Sequence, residues 1–120
     1  AGWRGLAAGV LARAVQSLGV PADQLLAWIG PAIGPAAFEV GDDVVRAFTS
    51  VHPEAQPAFV PNARGRWQAD LFALARQELG RLRVTDVYGG NRCTVSEPES
   101  FFSYRRDGQT GRMATLIWLD

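Results

Sequence analysis

The chain has 120 residues, 48% of them hydrophobic and 20% charged, a balance that suits one globular unit with a core and excludes a disordered tail. Its 12 basic residues against 12 acidic ones leave no net formal charge, which argues against a nucleic-acid or membrane partner. The single cysteine, Cys93, excludes an internal disulfide framework and points to a reducing, cytoplasmic setting.

From Trp3 to Leu18, Leu6, Val10, Ala14 and Leu18 recur one helical turn apart with Leu11 beside them, so one amphipathic helix is expected, stopped by Gly19 and Pro21. Leu25 to Ile29 is an apolar run expected to form a buried strand. The two Gly-Pro pairs between Gly30 and Gly41 suit neither a helix nor a central strand, and that stretch is read as a shaped loop. Asp42 and Asp43 favour the start of a second helix, with Val44, Val45 and Phe48 on its buried side and its end before Pro53.

Pro53 to Gly65 is expected to be a surface connection with a short strand at Ala58 to Val60. Asp70 suits the N-cap of a third helix carrying Leu71, Leu74, Ala75, Leu79 and Leu82. Val84 to Tyr88 and Arg92 to Val95 look like strands around Gly89, Gly90 and Asn91. Asp107-Gly108 marks a turn, and Met113 to Leu119 is expected to be a last strand. No run approaches the ~18 apolar residues that span a bilayer, and no secretory signal is visible. Helices and strands alternate without repeats. The class is therefore α/β (α+β), a mixed β-sheet with packed helices, residues 1–120 forming one domain or part of one.

Few residues offer chemistry on their own. His52 is the only histidine and sits beside Pro53 in the expected surface connection. A catalytic zinc takes about three protein ligands, more than His52 and Cys93 supply. Cys93 as a nucleophile would need a base and an orienting group, so it is read as a small buried residue or a pocket-lining one. The Gly30 to Pro35 loop lacks the Gly-Lys-Ser/Thr of a nucleotide-phosphate loop and reads as a turn shaping a pocket wall, with Ile33 and Phe38 as its apolar side chains. Trp3, Trp28, Trp67 and Trp118 are scattered and read as structural. All 12 basic residues are arginine, which fits GC-rich coding and also supplies planar donors for oxyanions.

Three motifs carry a resemblance. The first is Ala1-Gly2-Trp3-Arg4-Gly5. The second is Ile29-Gly30-Pro31-Ala32-Ile33-Gly34-Pro35 followed by Phe38-Glu39-Val40. The third is Gly90-Asn91-Arg92-Cys93-Thr94, then Phe101-Phe102-Ser103-Tyr104-Arg105-Arg106-Asp107 and Thr110-Gly111-Arg112. In this order and spacing they resemble the laccase-domain family of purine nucleoside phosphorylases, also called peptidoglycan editing factors (YfiH-type) and formerly polyphenol oxidases. The resemblance covers almost the whole chain and implies the C-terminal part of a larger layered α/β fold, from proteins of about twice this length.

By the same resemblance the parent protein would be a zinc-dependent enzyme performing phosphorolysis of adenosine, inosine and methylthioadenosine, with adenosine deaminase activity also attributed to the family. A purine nucleoside and phosphate are the partners it implies. Two histidines and one cysteine would hold the zinc. All three map upstream of Ala1, one histidine directly before it, so the chain is expected to start inside a longer protein and to hold no metal alone.

Phosphorolysis needs a phosphate beside the glycosidic carbon, and guanidinium groups bind phosphate through two donors. Arg4, Arg105, Arg106 and Arg112 are the expected phosphate and substrate contacts, with Cys93 lining the site; no catalytic residue is assigned. Arg4, at the start of the first expected helix, would also be joined there by free backbone donors. The aromatic cluster Phe101, Phe102 and Tyr104 offers a purine stack but is expected to be core. Two other readings remain: copper-dependent oxidation of phenols, and a non-catalytic fragment. A fragment would expose sheet edges and apolar surface and associate through them.

Overall fold

Gly9 decides the course of the first segment. Its φ of 80° is open to glycine and uncommon for other residues. It divides the expected single helix into α1, Gly2–Ala7, and α2, Val10–Leu18. The computed structural model describes residues 2–118. Leu6 and Ala7 of α1 pack on the core, whereas Val10 and Leu18 of α2 are exposed. The hydrophobic spacing marks helix correctly but overstates how much of it is covered.

Strand β1, Leu26–Ile29, pairs in parallel with β5, Asp86–Gly89, in the register Leu26 to Asp86 through Ile29 to Gly89. The buried strand expected at Leu25 to Ile29 instead exposes Leu26 and Trp28. A second sheet is antiparallel, with β4, Trp67–Ala69, between β2, Glu39–Val40, and β3, Phe59–Pro61. β2 and β4 are too short for alternation to reveal them.

Helix α3, Asp42–Thr49, follows the expected start, and its face of Val44, Val45 and Phe48 is buried. A 3-10 turn over Pro53–Ala58 leads into β3 and buries Ala55 and Ala58. Helix α4, Leu71–Arg81, is capped as the sequence implies: the Ala73 N–H donates to Asp70 Oδ1 at 3.0 Å, a contact typically worth about 1 kcal/mol. The core joins Phe38, Val40, Phe48, Phe59, Ala69 and Leu74. Phe48 and Phe59 meet with ring centroids 5.9 Å apart.

Two expected strands do not form among the described residues. Arg92 to Val95 makes a single bridge, Cys93 to Ala32. The facing loop contains Pro31 and Pro35, which have no N–H to extend a ladder. Met113 to Trp118 is unpaired, with Leu116, Ile117 and Trp118 exposed; the expected end at Leu119 lies outside the described residues. The turn at Asp107-Gly108 closes a short helix, α5, Tyr104–Asp107, whose N-cap Ser103 accepts from the Arg106 N–H. No helix among the described residues is long and apolar enough to cross a membrane.

Candidate functional site

The three resemblance motifs, far apart in sequence, meet at one cleft of about 390 Å³. Gly2 and Trp3 come from the start of α1, and Ile33 and Phe38 from the double Gly-Pro loop. Thr94, Phe102, Tyr104 and Arg105 come from the C-terminal block, with Leu71 of α4 and Met113 completing the wall. The lining is mostly apolar and aromatic with Arg105 as its cation, the composition of a small-molecule pocket with one polar anchor.

Arg105 is held where it can serve such a pocket. Its guanidinium lies 5.4 Å from the centre of the Phe38 ring, and Nη1 donates to the Glu39 carbonyl oxygen at 3.1 Å. Glu39 spends its carboxylate elsewhere. It accepts from Arg64 Nε at 2.6 Å and Asn62 Nδ2 at 2.7 Å, and Arg66 lies 3.6 Å away. Arg64 first, then Asn62, hold this carboxyl below its ordinary range.

The other expected arginines divide. Arg4 is exposed beside the cleft and stacks on Trp3, 4.5 Å from the ring centre. With only six residues, α1 offers little of the anion-binding end expected for it. Arg112 lines an adjoining cleft of about 630 Å³ that shares Phe102, Tyr104 and Met113 with the first. Arg106 points into the protein. It donates to the carbonyl oxygens of Thr94 at 2.8 Å, Val95 at 3.2 Å and Phe101 at 3.0 Å, and meets both carboxylate oxygens of Asp107. Its donors hold the loop that carries Thr94, and its guanidinium is engaged by these carbonyl groups and by Asp107.

Cys93 lines a separate cleft of about 470 Å³ with Gly34, Asp70, Phe72, Arg76 and Arg92. Its neighbour Thr94 lines the first cleft, as Ile33 does beside Gly34. The short pairing of these two segments thus forms the partition between the clefts. Burial pushes the Cys93 thiol up, but donors from the Ser96 side chain and the backbone at Gly34, Ser96 and Val95 outweigh it and bring it to about 7. The Gly34 N–H donates to Sγ at 3.2 Å. A lowered value means thiolate above pH 7 and thiol below it. The rate of alkylation by iodoacetamide is therefore expected to rise with a midpoint near pH 7, against about 8.5 for an ordinary thiol. Ser96→Ala should move that midpoint upward, and a midpoint of 8.5 in the unsubstituted protein would contradict the hydrogen-bond account.

Zinc is the metal that the resemblance implies, and the described residues do not fit it. No group of three or more His, Cys, Asp or Glu side chains among them is placed to hold a metal ion. His52 lies 3.5 Å from Glu54 and lines a different depression from Cys93.

Some site features escape the sequence reading. Phe102 and Tyr104, expected in the core, are exposed and line two clefts. Trp3, read as structural, forms part of the cleft wall. Its place inside the first motif is the signal that points there. Arg76, which donates to the Gly89 carbonyl oxygen at 2.5 Å, has no signal at all.

A mixed α/β unit whose motifs close on an aromatic cleft with an arginine anchor defines the class. The chain belongs to the family described as multi-copper polyphenol oxidoreductase laccase, whose profile matches residues 1–120. It is 60% identical over 120 residues to a purine nucleoside phosphorylase of Pseudomonas aeruginosa, covering 99% of this chain and 50% of that protein. It is 51% identical to a purine nucleoside phosphorylase of Haemophilus influenzae, again over 50% of the relative. A crystal structure of a Neisseria meningitidis protein superposes with a TM-score of 0.97 at 57% identity, covering 100% of this chain and 50% of that one. The chain spans about half the length of the curated relatives it matches.

Proposed function

We propose that this chain supplies one wall of a purine nucleoside phosphorylase, with the cleft between Trp3, Phe38, Thr94 and Arg105 receiving nucleoside and phosphate. The convergence of three distant motifs on that cleft carries the reading, and the names of the relatives support it. In phosphorolysis a phosphate oxygen bonds to the anomeric carbon of the sugar as the bond from that carbon to the purine nitrogen breaks. The base leaves with the electron pair and takes up a proton. The apolar and aromatic walls suit a purine face. The Arg105 fork suits the phosphate, because a guanidinium keeps its charge near neutral pH and holds two oxygens at once. Arg4 stands at the rim as a second cation.

Adenosine, inosine and methylthioadenosine are the proposed nucleosides, and adenosine deamination is a companion activity of the same pocket. Zinc belongs to the proposal for the whole protein, with its ligands outside these 120 residues. The donors described in this chain do not fit a metal. The cleft's chemistry gives no separate support to phenol oxidation.

The test uses the full-length protein in an inosine phosphorolysis assay. Arg105→Ala is expected to lower kcat/KM for phosphate by about 100-fold, the usual scale for removing a preorganised charge from an active site. Arg105→Lys should restore part of it, and Arg4→Ala should have a smaller effect of the same sign. Wild-type kcat/KM in both alanine variants would reject the assignment.

A further inference from the structure

Thr94 is fixed from both sides of its backbone. Its N–H donates to the Ala32 carbonyl oxygen at 2.9 Å, and its own carbonyl oxygen accepts from Arg106 Nη1 at 2.8 Å. Its neighbours are held as well. Glu97 clamps the two residues before it: Oε2 accepts from the Cys93 N–H at 2.9 Å and Oε1 from Arg92 Nε at 2.7 Å. Arg92 holds the Glu97 carboxyl below its ordinary range against the opposing effect of desolvation, so the clamp stays ionised at neutral pH. Val95, which follows, accepts from Arg106 Nη1 at 3.2 Å.

The side chain of Thr94 takes no part in this scaffold. Among the described residues its hydroxyl has no hydrogen-bond partner, and it is not sealed from solvent. Thr94 lines the first cleft. With the backbone fixed and a β-branched side chain stiff at χ1, the hydroxyl is held in place before a ligand binds. Its chemistry fits one part of a nucleoside. A sugar hydroxyl needs an acceptor for its proton as well as a donor. The lining side chains that carry oxygen are Thr94, Ser103 and Tyr104. Ser103 Oγ is buried and already accepts from the Arg106 N–H at 3.3 Å, and Tyr104 is 78% exposed. Trp3 and Arg105 only donate. Thr94 is therefore the sheltered side chain that can both accept from a sugar and donate to it. We infer that, on the nucleoside reading proposed above, the Thr94 hydroxyl binds a sugar hydroxyl and makes the cleft select ribosides over the corresponding deoxyribosides.

The experiment measures phosphorolysis of inosine, 2′-deoxyinosine and 3′-deoxyinosine by the full-length protein and by its Thr94→Val variant, in which a methyl group of similar size replaces the hydroxyl. For inosine, kcat/KM is expected to fall by about 10-fold, the scale of one neutral hydrogen bond. For the analogue that lacks the contacted hydroxyl the loss should be less than about 2-fold, because the interaction is already absent. Which analogue escapes identifies the 2′ or the 3′ position. Each variant is compared with the unsubstituted protein on the same substrate, so differences in glycosidic reactivity cancel. Thr94→Ser keeps the hydroxyl and should stay within about 3-fold of the unsubstituted protein on inosine. Thr94→Ala should repeat the pattern of Thr94→Val, which separates loss of the hydroxyl from any effect of the valine on folding. A fall of similar size on all three substrates, or none on inosine, overturns the role of Thr94 and leaves the phosphorolysis reading standing. Absence of inosine turnover by the unsubstituted protein rejects that reading, and the role of Thr94 with it.

Discussion

Gly89→Ala is expected to abolish the β1–β5 pairing and to destabilise the chain by about 3 kcal/mol or more, a large share of the ~5–15 kcal/mol that holds a domain together. Two costs combine. Gly89 has a φ of 76°, where an alanine is strained by about 1–2 kcal/mol. Its Cβ would also press into the Ile29 carbonyl oxygen, a backbone atom with no freedom to yield, and would lie 2.9 Å from the Trp28 indole nitrogen. Gly9→Ala provides the comparison. Its φ is 80°, but nothing lies within 4 Å of the added carbon, so it should cost only the backbone strain. Urea unfolding of both variants separates the two contributions. Equal losses would mean that the collision is relieved at little cost.

Arg106→Ala is expected to have the next largest effect, lowering Tm by roughly 10 °C, an amount typical of losing a hydrogen-bonded cluster in a domain of this size. The substitution removes every partner that Arg106 gives the carbonyl oxygens of Thr94, Val95 and Phe101, and it leaves Asp107 without its cation. Arg106→Lys keeps the charge but not the fork, and should recover less than half of the loss. On the function proposed above, both variants should lower inosine phosphorolysis by the full-length protein chiefly through a displaced Thr94 wall. If Arg106 bound phosphate directly instead, KM for phosphate would rise with Tm unchanged.

Much of the fold is legible in the sequence because it rests on local signals. Asp42 and Asp43 open α3, Asp70 caps α4, and the Gly-Pro pairs make a loop. The hidden parts depend on partners distant in sequence. β2 and β4 have two and three residues, and they are strands because they lie beside each other and β3. Met113 to Trp118 has a strand's composition, but among the described residues no neighbour pairs with it. The site follows the same division. The motifs identify Arg105, Ile33 and Phe38 as neighbours of a pocket. The internal partners of Arg106 are carbonyl groups that only the folded loop presents. Phe102 and Tyr104 read as core because aromatic residues usually are, and their exposure depends on which surfaces the folded chain leaves open.

The two prolines of the cleft loop have a thermodynamic consequence. Pro31 and Pro35 fix their own φ angles near −65° and narrow the choices of the glycines before them. That segment has therefore given up much of its conformational entropy before any ligand arrives. A ligand settling against Ile33 and Phe38 would meet a surface already in its bound shape, and less of the contact free energy would be consumed in ordering it.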